Sequence, residues 1–313
     1  LEDLTMTALK PVKEVTITIL MDNYTDVLLP SDQRVQRAPL LQEGQMAKNP
    51  VAEHGLSLLV DADGERFILD FGLTEFGLIY NMEILGIDAN SIPFGVLSHG
   101  HHDHLGAFYS FLEKRKGPFP LYLHEDALLE RRYLSLPSGD GFYFPRVERK
   151  RMEDHGAEVR VIQGPESILG GRSLISGEIP RKTAFEQGMP GASYEEGGKR
   201  VKDRMLDDMA LYLHVEGKGL LVISGCAHAG IVNTVLYGME LSEIEEVYGI
   251  VGGFHLTGPA MAKALPQTVE YLQEFSPPII CPMHCTGWDS QRRLKEVFGD
   301  RFVLSAVGST LSL

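Results

Sequence analysis

Only three cysteines, Cys226, Cys281 and Cys285, occur in 313 residues. An odd count without framework spacing excludes a disulfide scaffold and points to a reducing compartment, so a cytoplasmic location is expected. No apolar run reaches the roughly 18 residues needed to cross a bilayer, which excludes a membrane-spanning helix. The segment Leu1–Glu14 has no basic start followed by an apolar stretch, so no signal peptide is expected. Basic residues are outnumbered: 29 Lys and Arg against 43 Asp and Glu leave a formal net charge of −14. Such a chain is a poor partner for nucleic acid or an anionic membrane, because phosphate binding needs basic surface. A small anionic substrate can still be held in a local basic pocket. Internal repeats and low-complexity tracts are also missing.

What is present is ordinary globular sequence, 43% apolar and 23% charged, enough to bury a large core without staples. Short β-branched or aliphatic runs bounded by Gly, Pro or Asp predict strands at Val15–Leu20, Leu56–Val60, Phe67–Leu69, Gly95–Leu97 and Leu121–Leu123. The same holds for Val159–Ile162, Ala210–Val215, Leu220–Ile223, Val247–Val251 and Ile279–Cys281. Helical spacing appears at Leu105, Phe108 and Leu112, at Ile231, Val235 and Met239, at Val269, Leu272 and Phe275, and at Leu294, Val297 and Phe298. Strand and helix alternate in both halves, which predicts an α/β fold with helix-covered sheets. The whole chain, 1–313, is taken as a single domain. Residues 125–204, rich in Pro and Gly clusters and dense in charge, form an insertion or lid within it.

The most informative segment is Ser98-His99-Gly100-His101-His102-Asp103-His104-Leu105-Gly106. It follows an apolar strand and precedes an amphipathic helix, a place where α/β proteins build sites. In an extended turn, residues two apart point the same way, so His99 and His101 can grip one metal together. Asp103 and His104 can face a second metal. Nitrogen and oxygen ligands with an open position are what metal-assisted hydrolysis requires.

His99, His101, Asp103 and His104 match the His-x-His-x-Asp-His signature of the metallo-β-lactamase superfamily, which the chain resembles over most of its length. Phe67–Gly72 resembles the strand that the family places just upstream, with Asp70 supporting the ligands from behind. Pro282-Met283-His284-Cys285-Thr286-Gly287 resembles the last metal motif, with His284 as ligand. The resemblance implies an αββα four-layer sandwich holding one or two divalent ions. Zinc is the default, and iron or manganese suits the same donors. Four further segments, Glu53–Ser57, Ser176–Arg181, Ser224–Gly230 and Gly252–Leu256, resemble a subgroup. Its namesake is an archaeal dihydropterin ribofuranosylaminobenzene 5′-phosphate synthase.

The chain also departs from the pattern. Glu178 stands where a third His is expected, and no bridging Asp follows the strand Leu220–Ile223. His228 is the expected ligand there, with Cys226 as competitor or as a small buried neighbour, and Glu178 is the alternative helper to His99 and His101 or a substrate contact. The glycine turn at Gly252–Pro259 can cradle a phosphate through backbone N–H groups. His255 on that turn can act as general acid, and Arg181, beside Glu178, can clamp an anionic group. Asp207 and Asp208 read as a turn or supporting group, and His54 as a surface residue.

Three functions follow. The first is a hydrolase of a small anionic, phosphate-bearing substrate, in which Asp103 orients a metal-activated water and His255 or Arg181 stabilises developing charge. The second, implied by the subgroup, is a synthase in which an arylamine replaces water as nucleophile. The third is a non-catalytic ligand-binding sensor with a degenerate site, motivated by Cys226 and Glu178.

Overall fold

The apolar runs become strands close to where their pattern places them. The structure, a computed structural model, describes residues 8–313, so the opening of the Leu1–Glu14 segment lies outside the described residues. The chain divides into two compact units, each with its own large sheet.

One unit comprises residues 14–162, 191–207 and 305–313. Its eight-stranded sheet runs in the order Ala157–Ile162, Phe119–His124, Gly95–Val96, Glu65–Leu69, Ser57–Ala62, Val15–Met21, Thr310–Ser312 and Val35–Gln36. The first four strands are parallel to one another and the remainder are antiparallel. Parallel strands need cover on both faces. Part of that cover is an aromatic cluster of Phe71, Phe108, Phe111 and Phe119, whose rings meet in edge-on and tilted contacts. It packs the helix Phe108–Glu113 against Phe71, which follows the strand Glu65–Leu69, and Phe119, which opens the strand Phe119–His124. A second helix, Gly77–Ile84, was not predicted, because its apolar residues do not form a helical stripe. A small four-stranded sheet, Gly141–Tyr143, Tyr133–Ser135, Ala192–Glu196 and Lys199–Lys202, is also part of this unit.

The other unit comprises residues 8–13, 163–190 and 208–304. Its six-stranded sheet has the order Glu166–Ile168, Ser173–Ile175, Ala210–Val215, Gly219–Ser224, Val247–Gly253 and Ile279–Met283, and the last three strands are parallel. Gly219–Ser224 is buried at every position, which explains its unbroken apolar run. Helices Ile231–Ser242, Leu265–Phe275 and Trp288–Phe298 bury apolar faces in the core of this unit. The insertion 125–204 is thus shared: 125–162 and 191–204 belong to the first unit, and 163–190 to the second. No helix among the described residues is long and apolar enough to cross a membrane.

Candidate metal centre

In the first unit the strand Gly95–Val96 runs into Leu97 and Ser98, and the chain then turns through the histidines. The amphipathic helix starts at Phe108, later than the spacing suggests, and a short 3-10 turn, His102–His104, comes first. Asp70, fully buried at the end of the neighbouring strand, organises this turn. Its Oδ1 accepts from the Ser98 N–H at 2.7 Å, and its Oδ2 accepts from Ser98 Oγ at 2.7 Å. The same Oδ2 lies 2.6 Å from His104 Nδ1. A carboxylate on Nδ1 fixes the tautomer and leaves Nε2 as the ligand atom. His99 Nδ1 sits 2.9 Å from Ser98 Oγ, and His99 Nε2 sits 3.0 Å from His101 Nδ1.

The backbone between the two histidines is also fixed. The Gly100 N–H donates to Asp207 Oδ2 at 2.8 Å. Asp207 in turn takes a bidentate pair from Arg132, at 2.7 and 2.6 Å, while Arg132 Nε lies 2.9 Å from Asp203. All three charged groups are buried. Only glycine fits at position 100, since a Cβ would stand 2.5 Å from the Ala127 carbonyl oxygen. Burial tends to raise the Asp207 pKa, but the Arg132 charge and hydrogen bonds win and hold it at about 2. Burial, aided by the Arg132 charge, pushes the His101 pKa down to about 3, so the ring is a neutral donor. Phe144, from the insertion, stacks on His101 with ring centroids 4.3 Å apart. Asp103 is half-buried, and the exposed His54 ring lies 3.7 Å from its carboxylate.

In the second unit, three parallel or adjoining strand ends present the other donors. Cys226 and His228 follow Gly219–Ser224, His255 follows Val247–Gly253, and His284 and Cys285 follow Ile279–Met283. Ligand atoms of Cys226, His228 and His255 lie within 4.8 Å of one another, as do those of Cys226, His284 and Cys285. His255 and His284 have φ of 47° and 52°, left-handed values that cost non-glycine residues energy and gather at functional loops. Burial raises the Cys285 pKa, yet hydrogen bonds with Cys226 and His255 and the charges of His284 and His255 bring it well below the usual thiol value. The N–H groups of Gly253, Phe254 and His255 donate to Gly225 O, Thr286 Oγ1 and Cys285 Sγ. They are therefore engaged by neighbouring loops, and the phosphate cradle expected at this turn does not use them. Arg181 is half-buried, and its guanidinium runs past Gly188. Glu178 is exposed and belongs to neither donor group of this unit among the described residues.

Arg132 and Phe144 carry no functional signal in the sequence, and Asp207 reads there only as a turn or supporting group. Arg132 and Asp207 are 75 residues apart, and nothing local marks them as a pair. His54 stood inside a segment that resembled the subgroup, which was its one available signal.

The donor chemistry suits a divalent ion. Two imidazole nitrogens 3.0 Å apart approximate the edge of a tetrahedral site, which is about 3.3 Å for metal–nitrogen bonds near 2 Å. Thiol and imidazole donors of the second cluster favour the same borderline metals.

A family model described as the metallo-β-lactamase superfamily matches residues 51–177. An uncharacterized protein of Methanocaldococcus jannaschii is 32% identical over 276 residues, 88% of this chain and 99% of the relative. The 7,8-dihydropterin-6-methyl-4-(beta-D-ribofuranosyl)-aminobenzene-5′-phosphate synthase of the same organism is 28% identical over 262 residues, 80% and 87% of the two chains. A solved metal-dependent hydrolase of the β-lactamase superfamily shares the fold with TM-score 0.72 and 23% identity, over 96% of this chain and 98% of its own. The metallo-β-lactamase fold protein YhfI from Bacillus subtilis does so with TM-score 0.55 and 10% identity, over 96% and 100%.

Proposed function

Because the chain belongs to the metallo-β-lactamase superfamily, we propose that it is a metal-dependent hydrolase of a small anionic, phosphate-bearing substrate. The observation that carries this reading is the buried histidine turn, with His104 held by Asp70 and His99 within 3.0 Å of His101. The ligands proposed for one or two divalent ions are His99, His101, Asp103 and His104, with His228 and His284. Cys226 competes for His228's place. Zinc is the first candidate, and iron or manganese suits the same donors. When bound, such an ion supplies Lewis acidity, making water nucleophilic near neutral pH and neutralising developing charge.

The chain's own residues do the rest. Asp103 orients the attacking water and takes its proton. His255 gives a proton to the leaving oxygen, and Arg181 binds the anionic group through its planar fork. The insertion 125–204 shapes substrate choice and limits water at the reacting centre. A cytoplasmic setting belongs to the same proposal, since all three cysteines are buried thiols and none is in a disulfide. The relative named as a pterin synthase favours a second reading, transfer to an arylamine in place of water.

Phosphate release from a panel of phosphomonoesters and phosphodiesters, and product analysis with an arylamine present, separates the two. Chelation and dialysis are expected to remove either activity, and zinc or manganese to restore it. His101→Ala is expected to lower turnover by about a hundredfold or more, the scale of a metal's several kcal/mol, with an unchanged circular dichroism spectrum. Full turnover after chelation contradicts the reading.

A further inference from the structure

The loops that carry His255 and His284 also border a half-open cavity of about 280 Å³. Its lining includes Leu256, Thr257 and Pro259 from one loop and Trp288, Asp289 and Ser290 from the other. We propose that this cavity binds a flat bicyclic heteroaromatic ring, stacked on Trp288. The claim deepens the functional reading above, and it rests on that reading for the step that makes the ring part of the substrate.

Three observations support it. First, Trp288 is the chain's single tryptophan and is 71% exposed on the cavity. Tryptophan offers a large aromatic face, which stacks well and is usually covered. Second, the walls are held in place before any ligand arrives. Ser290 Oγ donates to Leu256 O at 2.7 Å, and the Phe254 N–H donates to Thr286 Oγ1 at 3.2 Å. Gly287, with φ of 74°, lets the loops approach so closely that a Cβ would meet Thr257 Oγ1 at 3.0 Å. Preorganised walls lower the entropic cost of binding. Third, the lining pairs apolar surface from Leu256 and Pro259 with the Thr257 hydroxyl and the Asp289 carboxylate. An ionised carboxylate only accepts hydrogen bonds. It therefore suits a ring that carries N–H donors on its edge and disfavours a plain hydrocarbon. The Trp288 indole is itself two fused rings, so a bicyclic ring matches its face.

The test uses the full chain after chelation, so that binding is read without turnover. Pterin-6-carboxylate and AMP serve as two ring sources, and cyclohexanecarboxylate as the non-aromatic control. Saturable quenching of the Trp288 fluorescence by at least one ring, and none by the control, is expected. Calorimetry should give a dissociation constant about tenfold weaker for Trp288→Ala, with most of the loss restored in Trp288→Phe. The side chain is exposed at the start of its helix, so both variants are expected to fold. No saturable binding of either ring overturns the proposal, as does an equal constant in Trp288→Ala. Quenching that follows protein concentration instead of ligand also overturns it, since a second copy then covers the tryptophan. Ring binding without any metal-dependent turnover leaves the cavity assignment standing and removes the functional reading. Turnover without ring binding does the reverse.

Discussion

Asp207 and Arg132 show how single residues set the histidine turn. Asp207 joins the Gly100 N–H to a buried guanidinium, and Gly100 lies between two proposed ligands. A buried charge that loses its partner is costly, about 3–5 kcal/mol. Asp203 remains beside Arg132 Nε, so the lower end, about 3 kcal/mol, is expected for Asp207→Ala in urea unfolding. Asp207 is also a positioning residue, and a structural pair alone does not predict the next effect. Metal affinity, measured by competition with a chromogenic chelator, should fall by about 10- to 100-fold in Asp207→Ala. Asp207→Asn, which keeps an oxygen for the Gly100 N–H, should recover part of it. Unchanged affinity in a folded Asp207→Ala protein would restrict the pair to stability.

Among the elements, the helix Ile231–Ser242 is the one whose start matters most, because it begins just after His228. Glu186 accepts hydrogen bonds from the N–H groups of Val232 and Asn233, at 2.9 and 2.8 Å, in the helix's first turn. Asn233 Oδ1 in turn accepts from the N–H groups of Lys182 and Thr183, tying the segment after Arg181 to the same helix. Burial pushes the Glu186 pKa from 4.5 up to about 7, although the two N–H groups, Thr183 and Arg181 oppose it. Folding therefore takes up a proton between pH about 4.5 and 7, and this group's share of stability declines as pH rises through that window. Glu186→Gln lacks that decline. Its urea midpoint, compared with the parent's, should improve between pH 5 and pH 8, by about 1–3 kcal/mol in difference. Parallel pH profiles for the two proteins would contradict this account. Elements like this helix were legible in sequence because Ile231, Val235 and Met239 repeat at helical spacing. Gly77–Ile84 was not, since it lacks such a stripe, and the strands of the small sheet were hidden among polar and aromatic residues.

At the scale of the whole molecule, the charge of −14 leaves anion binding to local cations. Arg181 and a bound divalent ion are the proposed sources. The histidine turn was legible because its donors are contiguous in sequence and follow a strand. Asp70, 34 residues before His104, was legible only through the family resemblance of Phe67–Gly72. The second cluster was legible only in part: three separate strand ends bring Cys226 together with His228 and His255, and with His284 and Cys285, in two groups of their unit. Spacing along the chain carries no record of that convergence. The central claim is that these residues hold metal for chemistry on a phosphate-bearing substrate. A crystal structure of zinc-loaded protein, with anomalous data on both sides of the zinc edge, tests it most directly. The account predicts anomalous peaks about 2.0–2.1 Å from ring nitrogens of His99, His101, His104 or His284. Zinc bound only at other residues, with these imidazoles uncoordinated, would contradict it.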